Sequence, residues 1–264
     1  MADPWLTHAR HLDSTAVLAT QALFKAVDAN PDMAPEAFQA LVAAITQRYG
    51  TVAMSSALWA LDTGRELADL TDLPAPVPAE AVNVSQVTNS ASWALNKTDG
   101  NINAAARVMA GPLGRFIRQP ARDTVWNSTA AAGTRYARVP GPGACSFCLM
   151  LASRGAVYTK GTVLTVGAGN SRTRRETHTR NPNATGGHTY SSGPMADGHK
   201  YHDNCSCTAR EVLRDADIPQ IVNDLQDEWY EVTYDASGHM RPNQKHAWDQ
   251  HWKTKRAEAG EAFH

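Results

Sequence analysis

The chain has 264 residues, of which 42% are hydrophobic and 19% charged, with a formal net charge of −1 and a pI of about 6.8. This is a globular balance, long enough for one large domain or two modest ones, and it sets up no global field favouring nucleic acid or an anionic membrane. No run approaches the roughly 18 apolar residues that span a bilayer. Residues 1–10 contain Asp3, His8 and Arg10 rather than the apolar centre of a signal peptide. The expectation is a protein made in the cytosol with reduced thiols, which favours metal binding or catalysis over disulfides.

The first 70 residues read as helices. Leu12, Ala16, Ala19, Leu23 and Val27 recur at spacings of three and four, as do Phe38, Leu41, Val42, Ile45 and Tyr49, with Pro35 suited to a first turn. Val52–Leu70 reads as a third helical segment. These make residues 1–72 a helical N-terminal region. Three alternating prolines then mark 73–80 as a semi-rigid linker. Residues 81–136 read as a second helical region. Ser85–Leu95 is one helix, and Ile102, Ala106, Met109, Leu113 and Phe116 form the stripe of another, with a break or kink expected at Gly111-Pro112. Asp123 is placed to cap a further helix running to Tyr136.

Past residue 136 the pattern changes. Arg138-Val139-Pro140, Ala156–Thr159, Thr162–Val166 and Thr208–Leu213 read as short strands, and Asp217 or Pro219 as the start of a helix through Trp229. Residues 167–198 are rich in Gly, Ser, Thr, Asn and Arg and read as a mobile surface excursion. Together 137–234 form an α+β module, followed at 235–264 by a tail whose residues 243–259 read as a charged helix carrying Trp248 and Trp252. The fold class is therefore α+β: a mostly helical N-terminal half, a small β-containing module and a C-terminal helix.

All four cysteines fall in two clusters: Cys145-Ser146-Phe147-Cys148, then, after 53 residues, His202-Asp203-Asn204-Cys205-Ser206-Cys207. Two residues between thiols allow both to point at one ion, as tetrahedral zinc sites require. Cys145, Cys148, His202, Cys205 and Cys207 are five candidates for four positions, with His199 a weaker sixth. If Cys205–Cys207 is extended, its two thiols share a face but sit about 7 Å apart along the strand, so that one reaches the metal easily and His202 completes the set. If it turns, an all-cysteine site is equally open. Zinc suits thiolate and imidazole ligands, and it would act as a structural clip joining the ends of a long excursion.

The competing chemistry is a nucleophile, Cys145 or Cys148, paired with His202 and oriented by Asp203 or Asn204. It uses one thiol and leaves three without a role. The sequence has no His-Glu-x-x-His, no His-x-Glu of the zinc deaminases, no Gly-x-Ser-x-Gly elbow and no phosphate-binding glycine loop, and Ser153 is only a conceivable nucleophile.

Arg138-Val139-Pro140, the run Ala144–Tyr158 and the run His199–Cys207 together resemble tailed-phage head morphogenesis proteins, in particular the MuF-like minor head proteins of actinobacteriophages, relatives of which are often labelled capsid maturation proteases. The resemblance covers about 70 residues, interrupted by the excursion. It implies a minor capsid component acting in procapsid assembly near the portal, made in the host cytoplasm and ending inside the virion head. The portal protein and the major capsid or scaffold protein would be its partners. The family's cysteine and histidine positions fall on Cys145, Cys148, His202, Cys205 and Cys207. Capsid maturation protease is the enzymatic alternative.

Two further features bear on partners. From Arg154 to Lys200 seven basic residues face two acidic ones, a local charge of about +5. Arg172, Arg174, Arg175 and Arg180 could therefore contact packaged DNA through its phosphates, the basis of a nucleic-acid-binding alternative. Trp248 and Trp252, among Lys245, Lys253, Lys255 and Arg256, either dock the last helix on a neighbour or, in the preferred reading, pack on their own domain. Arg138 is expected to brace the module by pairing with a carboxylate or carbonyls.

Overall fold

The computed structural model describes residues 3–156 and 205–260. The chain is α+β, with helices α1 (Pro4–Ala29), α2 (Pro35–Leu67), α3 (Val84–Lys97) and α4 (Ile102–Ala132) preceding strand β1 (Arg135–Val139). Helix α5 (Ser146–Ala152), strand β2 (Thr208–Val212), a 3-10 turn at Asp215–Asp217, α6 (Gln220–Thr233) and α7 (Gln244–Glu258) complete it.

The starts of three of the first four helices are set by side-chain caps. Asp3 accepts from the Trp5 backbone N–H and Pro4 fills the first turn of α1; Asn83 caps α3 and Asn101 caps α4. The predicted α1 stripe, Leu12 to Val27, is buried. The expected boundary between Tyr49 and Val52 does not exist, because α2 runs unbroken through Gly50. A β-carbon on Gly50 would lie 3.3 Å from Pro120 Cγ, so the glycine admits α4 rather than ending a helix.

Helix α4 corrects two more expectations. It continues through Pro112 and Pro120, both buried, and Asp123 lies inside it rather than at its start. An internal proline costs a helix about 3 kcal/mol, but α4 is buried on almost every side between residues 112 and 129, and each large apolar side chain buried there returns about 1.5–3 kcal/mol. The helix stops at Gly133, whose left-handed φ of +68° turns the chain into β1, so that Tyr136 is a strand residue.

Helices α1 to α4 share one core, which reaches from Trp5 to Trp126 and includes Tyr136 and Ala209 of the strands. The Pro-rich stretch lies extended against α2 and α4. Arg65 Nη1 donates to Pro74 O at 2.6 Å, and the backbone N–H groups of Val77 and Ala79 donate to Ser128 Oγ and Thr124 Oγ1 at 2.8 and 3.0 Å. Strands β1 and β2 pair antiparallel in the register Arg135↔Val212 to Val139↔Thr208. Arg138 is fully buried opposite Ala209. A second cluster joins α5 to α6 and α7 through Leu149, Leu151, Leu225 and Trp248. Trp248 stacks edge-on against Trp229 and Trp252 at centroid distances of 5.1 and 5.8 Å, so both C-terminal tryptophans pack within their own chain. The strands expected at 157–159 and 162–166 and the excursion 167–198 lie outside the described residues. Among the described residues no helix is long and apolar enough to cross a membrane.

The sheet is fastened to the bundle by a buried bidentate ion pair. Arg65 Nε and Nη2 donate to Glu211 Oε2 and Oε1 at 2.9 and 2.8 Å, and Thr134 Oγ1 donates to the same carboxylate at 2.6 Å. Removing one partner of such a pair leaves an uncompensated buried charge. Glu211→Ala is therefore expected to cost about 3–5 kcal/mol in denaturant unfolding, whereas the double variant Arg65→Met, Glu211→Leu recovers most of the loss.

Asp123 provides a pH-dependent counterpart. Burial raises its pKa to about 6, against the opposing pull of Gln119, which donates at 2.7 Å, and of Arg122. The folded state thus holds a proton that the unfolded state releases between about pH 4 and pH 6, and stability falls as pH rises through that window. Asp123→Asn should be more stable than the parent above pH 6, by about 1–2 kcal/mol once partial exposure is discounted, with the gap closing toward pH 4 in parallel thermal melts.

Candidate metal centre

The β1–β2 register determines the site. With Val139 opposite Thr208, the loop that leaves β1 lies beside the residues that enter β2. The contact is close: a β-carbon on Gly141 would sit 2.5 Å from Ser206 Oγ and 2.7 Å from Ser206 O, so only glycine fits. Ser206 Oγ in turn donates to Pro142 O at 3.1 Å. Cys145 is the N-cap residue of α5, and Cys148 follows one turn later on the same face.

This arrangement brings Cys148, Cys205 and Cys207 together, with their sulfurs all within 4.8 Å of one another and each residue buried. The Sγ atoms of Cys148 and Cys205 are 3.5 Å apart. A tetrahedral ion with bonds of 2.3 Å to sulfur needs sulfurs about 3.8 Å apart, so the three thiols are spaced for one ion. Both thiols of the Cys205–Cys207 pair reach the centre, in a segment that joins β2 without being part of its ladder. Cys145 packs against the trio and is hydrogen-bonded to Cys148. His202 and Asp203, with His199, Asn204 and the arginines 172, 174, 175 and 180, lie outside the described residues.

The surrounding groups act differently on the three thiols. Hydrogen bonds from the Cys148 and Cys207 thiols, with the Arg122 charge and the Cys207 N–H assisting, hold the Cys205 pKa far below that of a free thiol despite burial. The opposite holds at Cys148, where hydrogen bonds to Cys145, Cys205 and Cys207 keep the proton on sulfur. At Cys207 a hydrogen bond with Cys148 and one from the Gly141 N–H lower the pKa, but Cys205 and burial outweigh them and push it up to about 11. The three thiols titrate as one set, and their full deprotonation awaits a cation that offsets the repulsion between thiolates.

Sequence reasoning missed the supports. Arg122 of α4, buried, donates from Nε to Cys207 O at 3.0 Å and from Nη2 to Cys205 O and Cys207 O at 2.8 and 2.7 Å. From the other side α7 holds the start of α5: Arg256 donates to Ala144 O, Trp248 Nε1 to Ser146 O at 2.8 Å, and Ser146 Oγ to Asp249 Oδ1 at 2.7 Å. Arg122 is one of four arginines on α4, with Arg107, Arg115 and Arg118, and nothing in the sequence sets it apart. Nothing near the cysteines pointed to Arg256, which lies 112 residues from its partner.

What the arrangement can do chemically is hold a thiophilic divalent ion and, through it, tie the α5 start to the β2 entry. Arg122→Met should lower metal affinity about 10–100-fold, as loss of groups that orient ligands does, measured by competition with a chromophoric chelator.

No curated protein and no solved structure matches the chain. The family described as VG15 protein matches residues 3–180, which takes in the helical bundle, β1, Cys145 and Cys148 and ends before Cys205. That is more than half of the sequence, and the chain belongs to the VG15 protein family, a phage-associated family.

Proposed function

We propose that this protein is a minor component of the phage head, of the MuF-like kind, which acts in procapsid assembly near the portal and whose α+β module is clipped by a structural zinc ion. Membership of a phage-associated family supports the setting, and the cysteine and Arg138-Val139-Pro140 motifs support the head-morphogenesis kinship. The observation that carries the structural role is the buried thiol trio of Cys148, Cys205 and Cys207, with its carbonyls clamped by Arg122. Thiolate sulfur in this number and spacing suits zinc, which supplies no redox chemistry of its own and would here supply cohesion.

The protein would be made in the host cytoplasm beside its partners, the portal protein and the major capsid or scaffold protein, and would end inside the head with packaged DNA. A cysteine nucleophile needs an accessible thiol, and Cys148 is buried at 3% exposure with its proton engaged by neighbouring sulfurs. Cys145 is only partly buried, but a nucleophile there would leave the buried trio without a role, and the structural reading is preferred to a capsid maturation protease on that ground.

Reduced, purified protein is expected to carry about one zinc per chain, and Cys205→Ser to lose it together with a cooperative unfolding transition. Procapsids assembled with the portal and capsid proteins should incorporate the parent chain and exclude Cys205→Ser. Cleavage of capsid protein by the parent, abolished by Cys145→Ser or Cys148→Ser in a chain that stays folded, would replace this reading with the protease.

A further inference from the structure

A cavity of about 600 Å³ opens between α4, the end of the Pro-rich stretch and the start of α3, within the size range of small-molecule sites. Gln119, Asp123 and Trp126 of α4 line it together with Glu80 and Gln86, and none of the residues that line it is lysine, arginine or histidine. We propose that this cavity binds an organic cation of the guanidinium type, seated against Asp123 and Gln119.

Unmet acceptors are the first argument. Gln119 is buried at 9% exposure and stands one helical turn before Asp123. Its Nε2 donates to Asp123 Oδ1 at 2.7 Å. Among the described residues no donor reaches Gln119 Oε1 or Asp123 Oδ2. Neither oxygen is sealed from solvent, so both are reachable from the cavity that their residues line. Two neighbouring oxygens, one of them on a carboxylate, call for a ligand that donates and does not accept. A guanidinium group meets that condition, and its planar fork serves two adjacent oxygens at once.

Charge is the second argument. Burial raises the Asp123 pKa to about 6, and the opposing pulls of Gln119 and of Arg122, its neighbour on α4, do not offset it. A cation in the cavity would bring the carboxylate the further compensation that burial demands, and Glu80 adds a second acidic group to the same wall. A metal ion fits less well, since hard cations take several oxygen ligands. Among the described residues the thiol trio is the one group of three or more His, Cys, Asp or Glu side chains close enough to hold an ion, and neither Asp123 nor Glu80 belongs to it. Trp126 contributes an aromatic surface, which suits an organic cation.

The test titrates the full reduced chain, isotope-labelled for magnetic resonance, with N-acetyl-arginine amide. The side-chain amide of Gln119 and the indole N–H of Trp126 should shift in a saturable way. N-acetyl-citrulline amide, which has the same shape without the charge, should leave them in place. Asp123→Asn keeps the shape of the side chain and should weaken the arginine probe about tenfold or more, the loss of one charged hydrogen bond. Agmatine, with the guanidinium but no peptide atoms, separates the sources: equal binding assigns the site to a free cation, and preference for the blocked arginine assigns it to a side chain of a partner protein. Equal shifts from the citrulline probe, binding unchanged by Asp123→Asn, or no shift from any probe would overturn the proposal. The two blocked probes on the parent chain decide the matter even if Asp123→Asn fails to fold.

Discussion

The structure depends on one buried ion pair. Arg65, near the end of α2, and Glu211, in the middle of β2, are 146 residues apart, and their bidentate contact joins the helical bundle to the sheet. The same guanidinium reaches Pro74 O, so one side chain sets the position of the sheet and of the extended Pro-rich stretch. Its net contribution to stability is small, because desolvating two charges cancels most of their attraction. Its contribution to geometry is large. A carboxylate that must meet a fixed guanidinium allows β2 one register against β1, and that register places Cys207 beside Gly141.

Helix α4 performs the complementary task. It is the central helix of the bundle, yet it buries Arg122, Thr124, Ser128 and Thr129 among its apolar residues. Thr124 and Ser128 receive the backbone of the strap, and Arg122 receives the carbonyls of the second cysteine pair. A helix with polar groups on opposite sides, each aimed at backbone, works as a jig that positions irregular segments. This explains how a chain with only ten strand residues among those described holds three sulfurs within one ion's reach.

These features differ in how far the sequence reveals them. The stripes of α1 and α2 and the caps Asp3, Asn83 and Asn101 are local signals with a fixed period, and they read directly. The cysteine clusters read directly too, since thiols grouped two and two have few other uses. The continuity of α2 through Gly50 and of α4 through Pro112 and Pro120 does not, because each residue weakens a helix locally and burial in the core outweighs that cost. Gly50 and Pro120 explain each other only once they are seen to touch. Arg122 and Arg256 belong to the same class. Their partners are carbonyls, which every residue has, so no residue type at any spacing signals the match.

The register of the sheet also has a consequence for the order of folding. Helices α1 to α4 are successive in the chain and close their contacts over short loops, whereas Arg135 meets Val212 and Cys148 meets Cys205 only after 77 and 57 residues respectively. Short-range closure is fast and long-range closure slow. The bundle can therefore close its contacts before β2 docks, with Arg65 and Arg122 in place to receive the groups that β2 and its entry bring. The arrival of β2 supplies both at once, the Glu211 carboxylate for one and the carbonyls of Cys205 and Cys207 for the other. Docking of the second half thus completes polar contacts that the bundle holds open, and the polarity of the bundle selects the strand that can make them.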